Sequence, residues 1–202
     1  TTLTLTHELT GTTIPVTTDV NGKASLERLY YGRYTISLPL KPDHAVIAPK
    51  GDVSGDEWKG SITISNAVEK QSIAIVQYGS IAGNIWNMDG SNADTANIPV
   101  MLQNADSKEQ VANTATDANG TYSFNNLLPG NYIISSILPS GFRFARSVDT
   151  QVRPSVITSD QNDAATQKGS SALLALSMGQ ALTQQDIGIG ATGRLGDFAW
   201  LD

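Results

Sequence analysis

Apolar and polar residues alternate along much of this chain with a period of two. Residues 1–6 read TTLTLT and set Leu3 and Leu5 on one face; residues 121–124 set Tyr122 and Phe124 on one face. Such alternation predicts half-buried β-strands. Further strands are predicted over 13–18, 35–40, 61–65, 71–77, 79–86, 98–103, 131–137 and 186–190. Polar, turn-rich segments lie between them, at 43–60, 87–97 and 141–171. No segment sustains a period of 3.6. Ala164 to Leu182 comes nearest to a helix, weakened by Gly169 and the Ser170-Ser171 pair. His7, in an alternating strand, is expected to be exposed.

The pattern repeats itself. Thr116 to Ile134, TDANGTYSFNNLLPGNYII, has a counterpart in Thr18 to Ile36, TDVNGKASLERLYYGRYTI. Thr18/Thr116, Asp19/Asp117, Asn21/Asn119, Gly22/Gly120, Gly32/Gly130 and Tyr34/Tyr132 keep one offset of 98 positions. Ungapped self-similarity names the unit of construction. Asp117 to Gly120 reads as a turn, because Asx side chains bond nearby backbone and Gly tolerates φ > 0. Pro129-Gly130 fits a type II turn. Ala24 and Leu26 stand where Tyr122 and Phe124 stand, so that face is expected to stay apolar with less bulk.

A second self-match has an offset of 114. Gln71-Ser-Ile-Ala-Ile matches Gln185-Asp-Ile-Gly-Ile, and Gly79-x-Ile81 through Trp86 matches Gly193-x-Leu195 through Trp200. The extra length falls within 141–171 and is expected to be a loop or added hairpin. The register predicts a first unit, 1–78, lacking its opening strand. A complete second unit, 79–190, carries the insertion at about 141–171. Residues 191–202 are a linker and the opening strand of a further unit.

Composition narrows the function. The chain has 202 residues, 40% of them hydrophobic, a net charge of −6 and no cysteine. That length suits one or two domains. The acidic balance argues against nucleic-acid partners and against an anionic membrane surface. Disulfides and thiolate metal sites are excluded. The longest apolar run, Ala172 to Leu176, is far too short to span a bilayer.

The pattern G-x-[IL]-x(4)-W, then T-D-x-N-G-x-Y-x-F-x-x-L-x-P-G-x-Y, then Pro139-Ser-Gly-Phe142, resembles the SdrD B-like and Cna B-type repeats of bacterial (Gram-positive) surface adhesins. Gly196-Asp-Phe-Ala-Trp200-Leu-Asp202 is similar to the start of another such repeat. The resemblance implies tandem Greek-key β-sandwich domains with a prealbumin/Ig-like strand arrangement, stacked as an extracellular stalk on the cell surface. Short strands with closely spaced turn signals point to a β-sandwich independently. SdrD B-like repeats place W-x-D-x-N-x-D-G after the first strand as a Ca²⁺ loop, but here Met88 stands two past Trp86. Cna B-type domains carry a Lys–Asn isopeptide bond between first and last strands. The second unit has no Lys in 80–86 and no Asn in 186–190, so no such bond is expected there.

Candidate chemistry is sparse. Oxygen-rich loops suit Ca²⁺, and Asp89, Asn92 and Asp94 with Asp160 and Asp163 are the candidate ligands. Asp and Asn are equally ordinary turn residues. No other cofactor is expected. Gly188-Ile-Gly190-Ala-Thr-Gly193 matches G-x-G-x-x-G, but a strand rather than a helix follows, so the segment reads as a linker. The only histidines, His7 and His44, have no catalytic partner at informative spacing, and no enzyme activity is expected. Asn119-Gly-Thr121 matches a glycosylation sequon, and the turn explains it better. Trp86 and Trp200 are expected in sandwich cores; Trp58 has polar neighbours and is open to either reading.

The leading function is a non-enzymatic structural repeat of a stalk or filament. Its expected partners are neighbouring repeat units or copies of itself. Residues 193–202 could fill the vacant place in the first unit of another copy, which makes Leu195, Phe198, Trp200, Leu3 and Leu5 the candidate strand-exchange interface. The alternative function is an adhesin module that recognises a host protein or glycan through loops 87–97 and 143–170.

Overall fold

The computed structural model describes residues 1–65, 69–89, 94–146, 153–158, 162–163 and 167–192. The chain divides into two units, Thr1–Gln77 and Tyr78–Asp202. Every regular element among the described residues is a β-strand, as the alternation predicts.

The first unit contains β1 (Thr2–His7), β2 (Thr13–Thr17), β3 (Gly32–Pro39), β4 (His44–Ala48), β5 (Asp52–Ser54), β6 (Glu57–Ile64) and β7 (Ala74–Gln77). Five of them form an antiparallel sheet in the order β2-β1-β3-β6-β5, and β4 pairs with β7 in a separate ribbon. Leu5 faces Ile36 across β1 and β3. With Val16, Tyr34, Leu38 and Trp58 these residues make a small core. Asp43 ties the ribbon's end, bonding His44 Nδ1 at 2.7 Å and accepting from Gln77 Nε2 at 2.8 Å. Those two bonds hold its carboxyl below its usual pKa.

The second unit contains β8 (Gly79–Asn87), β9 (Pro99–Asn104), β10 (Gln110–Ala115), β11 (Thr121–Leu127), β12 (Gly130–Ile137), β13 (Phe142–Phe144), β14 (Asn162–Asp163), β15 (Lys168–Ser170), β16 (Leu174–Leu176), β17 (Ala181–Leu182) and β18 (Ile187–Ala191). One sheet runs β10-β9-β12-β15-β14, with β16 also on β12. The other runs β11-β8-β18-β13, with β17 beside β8. Inward residues of both sheets, among them Ile81, Ile85, Leu102, Ile134, Phe144 and Ile187, share one sealed core. It is a β-sandwich of the kind alternating strands make when only one face of each sheet is apolar.

Several local expectations need correction. Segment 43–60 is largely strand, because Trp58 is 1% exposed and draws the chain around it into β5 and β6. A Cβ on Gly60 or Gly51 would collide with its indole ring. Residues 167–182 hold strands rather than a helix: β15 and β16 both bond to β12, and β14 pairs antiparallel with β15. Gly188 and Gly190 lie in a core strand rather than a linker. Gly130 lacks the positive φ that a type II turn needs; in that segment Asn126 has it, at φ 55°. Lys23–Leu26 is not a strand, and Ala24 and Leu26 are exposed.

His7 is 5% exposed, so the expectation of an exposed histidine fails. The Thr10 N–H donates to its Nδ1 at 3.2 Å, which leaves Nε2–H to donate to the Tyr31 carbonyl at 3.3 Å. Its ring meets Tyr34 edge-on at 4.8 Å. The apolar alternation of β1 ends at Leu5, and His7 is drawn inward because it caps the turn that follows.

Candidate functional site

The repeated motif folds alike in both units. Asp19 Oδ1 accepts from the N–H groups of Asn21 and Lys23 at 2.8 and 2.9 Å. Asp117 Oδ1 accepts from those of Asn119 and Thr121, each at 2.8 Å. Gly22 and Gly120 close these turns at φ 75° and 77°. Tyr34 donates its hydroxyl to the Tyr30 carbonyl at 3.0 Å, and Tyr132 donates to Leu128 at 2.6 Å. Each tyrosine thus pins the corner that leads into its strand, with its polar end satisfied.

What differs is the opening strand. In the second unit β8 and β18 run parallel, with Ile85 opposite Ile187, Trp86 opposite Gly188 and Asn87 opposite Ile189. The Met88 N–H extends the ladder to the Ile189 carbonyl at 2.8 Å. Asp186 accepts the Asn84 N–H at 2.9 Å and pairs with Arg153 at 3.3 Å. The Arg153 guanidinium lies 5.5 Å from the Trp86 ring centre, and the Trp86 indole donates to the Pro154 carbonyl at 3.2 Å. On its other side β8 pairs with β11, and the Ile85 N–H reaches the Gly120 carbonyl at 2.8 Å. Tyr122, opposite Gly83, donates its hydroxyl to the Gln185 carbonyl. Burial, then the nearby Asp186 charge, pushes the Tyr122 pKa well above its usual value.

The first and last core strands of this unit therefore lie side by side and parallel. Tension applied through the chain at both ends pulls them in opposite directions along their length. The ladder bonds cross the strands, so they are loaded together in shear rather than opened one at a time.

In the first unit, among the described residues, no strand takes the place of β8. Strand β7 bonds only to β4. A Cβ on Gly120 would sit 2.5 Å from the Ile85 carbonyl, whereas a Cβ on Gly22 would meet nothing within 4 Å. The same turn is docked in one unit and bare in the other. Beside it runs a groove of about 460 Å³ lined by Leu3, Leu5, Leu26, Ile36, Ile62 and Ile73, among others. A second hollow of about 1100 Å³ continues it past Gly22, Ala24 and Gln71.

The other candidate residues divide by placement. Leu3 and Leu5 come together in the groove wall. Leu195, Phe198, Trp200, Asn92 and Asp160 lie outside the described residues, and Asp163 is described only as part of β14. Asp94 is a left-handed residue at φ 60°. Among the described residues no group of three or more His, Cys, Asp or Glu side chains could hold a metal. The described start of the 87–97 loop departs from the family's loop pattern at Met88. The Met88 sulfur lies 2.8 Å from where a Gly190 Cβ would be, over β18. The alternation singled out neither Asp186 nor Arg153. The one available signal is a departure from the repeat, since Asp186 stands where the first unit has Ser72.

The chain is similar to several known proteins. Colossin-A of Dictyostelium discoideum is 33% identical over 147 residues, covering 69% of this chain and 1% of that protein. Serine-aspartate repeat-containing protein F of Staphylococcus epidermidis is 26% identical over 150 residues, covering 63% of this chain and 9% of that protein. The chain thus spans under a tenth of the length of either relative. Among solved structures, the Bacillus anthracis TIE protein aligns with a TM-score of 0.42 at 15% identity, over 94% of this chain and 30% of that one. The SdrD B-like domain model matches residues 84–189, from within β8 to within β18. The chain belongs to the SdrD B-like domain family.

Proposed function

We propose that this chain is a non-enzymatic structural repeat of an extracellular stalk or filament on a bacterial surface. The parallel β8–β18 pair carries that reading, because it converts tension along the chain into shear across a whole ladder. The repeat of one motif in both units supports it, since stalks grow by adding copies of one unit. The partners in this reading are neighbouring repeats and further copies of the chain, joined head to tail by strand complementation.

The test inserts one, two or three copies between a wall anchor and a binding tip on a Gram-positive cell. The reach of the tip should grow with copy number while its affinity stays constant. Replacing residues 90–94 and 147–152 of the two loops by Gly-Ser segments of equal length should leave adhesion unchanged. Adhesion that needs those loops, and persists without the tip, favours the host-protein or glycan reading instead.

A further inference from the structure

We infer that Asn119 is a gated modification site. Water converts its side-chain amide to isoaspartate only while β8 is off β11, and the product keeps that edge of the second unit from closing again. The inference rests on the geometry of the second unit and goes beyond the stalk reading above.

In an Asn-Gly pair the glycine nitrogen can attack the preceding side-chain amide, because glycine has no side chain to obstruct the approach. The chain contains two such pairs, Asn21-Gly22 and Asn119-Gly120, one in each copy of the repeated motif. In the reaction the Gly120 nitrogen bonds to Cγ of Asn119 and gives up its proton. The bond from Cγ to the side-chain nitrogen breaks, and that nitrogen takes the proton and leaves as ammonia. Water then opens the five-membered imide, adding its hydroxyl to one carbonyl carbon and its proton to the Gly120 nitrogen. Opening at Cγ leaves aspartate. Opening at the main-chain carbonyl leaves isoaspartate, whose main chain is one methylene longer.

In the folded second unit the attacking nitrogen is held. Asn119 is exposed, so its amide carbon meets solvent, but Gly120 is buried. The Gly120 N–H donates to the Asp117 carbonyl at 3.0 Å, and its carbonyl accepts the Ile85 N–H at 2.8 Å. A Cβ on Gly120 would sit 2.5 Å from the Ile85 carbonyl and 2.9 Å from Thr95 Oγ1, so the glycine has no room to swing onto the Asn119 side chain. The Asn119 and Thr121 N–H groups share Asp117 Oδ1, each at 2.8 Å, and Thr121 pairs with Asn84 of β8. Strand β8 thereby locks the turn. Closing the imide removes the proton that the Asp117 carbonyl accepts and turns the Gly120 carbonyl off Ile85. With β8 displaced, only the short turn resists. The isoaspartyl chain, longer by one backbone atom, cannot set the Gly120 carbonyl on Ile85 and keep Thr121 opposite Asn84. A unit held open under load is thus retired, and one that recloses promptly is not marked.

The experiment incubates the 202-residue chain in heavy-oxygen water at neutral pH, native and in unfolding urea. Peptide mass spectrometry reads labelled aspartate and isoaspartate at position 119. Conversion in the native chain should be slower than in urea by at least about tenfold, because a core edge opens rarely. Asp186→Ala removes the acceptor of the Asn84 N–H without touching the turn, and should speed native conversion by about tenfold. Low urea on the parent gives the same reading without a mutation: conversion should rise in step with opening of the second unit. Asn119→Gln alters an exposed side chain and should keep the parent's stability. Held open by force, second units of the parent should lose the ability to refold in proportion to the hold, while those of Asn119→Gln refold after the same holds. Equal conversion in native chain and in urea, or a native rate indifferent to both Asp186→Ala and low urea, overturns the inference. So does a chain carrying isoaspartate that refolds to the parent's stability. None of these results touches the stalk reading, which the copy-number experiment tests separately.

Discussion

His7 and Asn104 occupy equivalent places: His7 lies opposite Tyr34 and Asn104 opposite Tyr132. Both turn the chain by accepting backbone N–H groups just ahead. His7 takes that of Thr10, and Asn104 Oδ1 takes those of Asp106 and Ser107, each at 2.9 Å. The histidine is thus a turn cap. His7→Ala should cost about 1–3 kcal/mol through loss of its bonds to the Thr10 N–H and the Tyr31 carbonyl, and His7→Asn should cost less than half as much, read from urea unfolding of the first unit. Gly22 and Gly120 make a sharper pair. Both need a left-handed backbone, so Ala at either adds strain of about 1 kcal/mol. Only Gly120→Ala also drives a methyl into the Ile85 carbonyl, so its loss should exceed that of Gly22→Ala clearly. Equal losses would mean that the first unit's turn is docked as well. Tyr122 adds a pH dependence. Its folded pKa is raised, so the stability it contributes is complete below the unfolded value of about 10 and is lost as pH rises further. Tyr122→Phe should lower stability at neutral pH by about 1 kcal/mol and flatten the alkaline decline.

At the scale of elements, the second unit depends on how β8 is held. Asp186 joins β8 to the chain ahead of β18 and anchors Arg153 over Trp86. Asp186→Ala leaves the Asn84 N–H without its acceptor and should cost about 1–3 kcal/mol, seen as a lower Tm of the second unit alone. The strands with clean alternation were legible in the sequence because each has one wet face and one dry face. Segment 43–60 was not legible, because one tryptophan gathers around it residues that have no period of their own. Lys23–Leu26 failed for the opposite reason. Its pattern is that of a strand, but a strand needs a neighbour, and pattern alone does not supply one. The clamp at Asp186 was hidden because its parts are far apart in sequence, Asn84 being 102 positions away.

At the scale of the whole molecule, the two units differ in how they meet force. In the second, the terminal strands β8 and β18 are bonded in parallel, and stretching shears them. In the first, among the described residues, β1 pairs with β2 and β3 while β7 pairs with β4, and no ladder joins β1 to β7. Among the described residues its core is also smaller, with six buried side chains against sixteen. Forced unfolding reads the unfolding barrier rather than equilibrium stability. The most direct test is single-molecule stretching of the chain by its two ends. Two separate openings should appear. The earlier, at low force, should release about 25 nm of chain from the first unit, and the later, at distinctly higher force, about 40 nm from the second. A second unit that opens at no higher force than the first would contradict the account of this chain as a repeat built to bear tension.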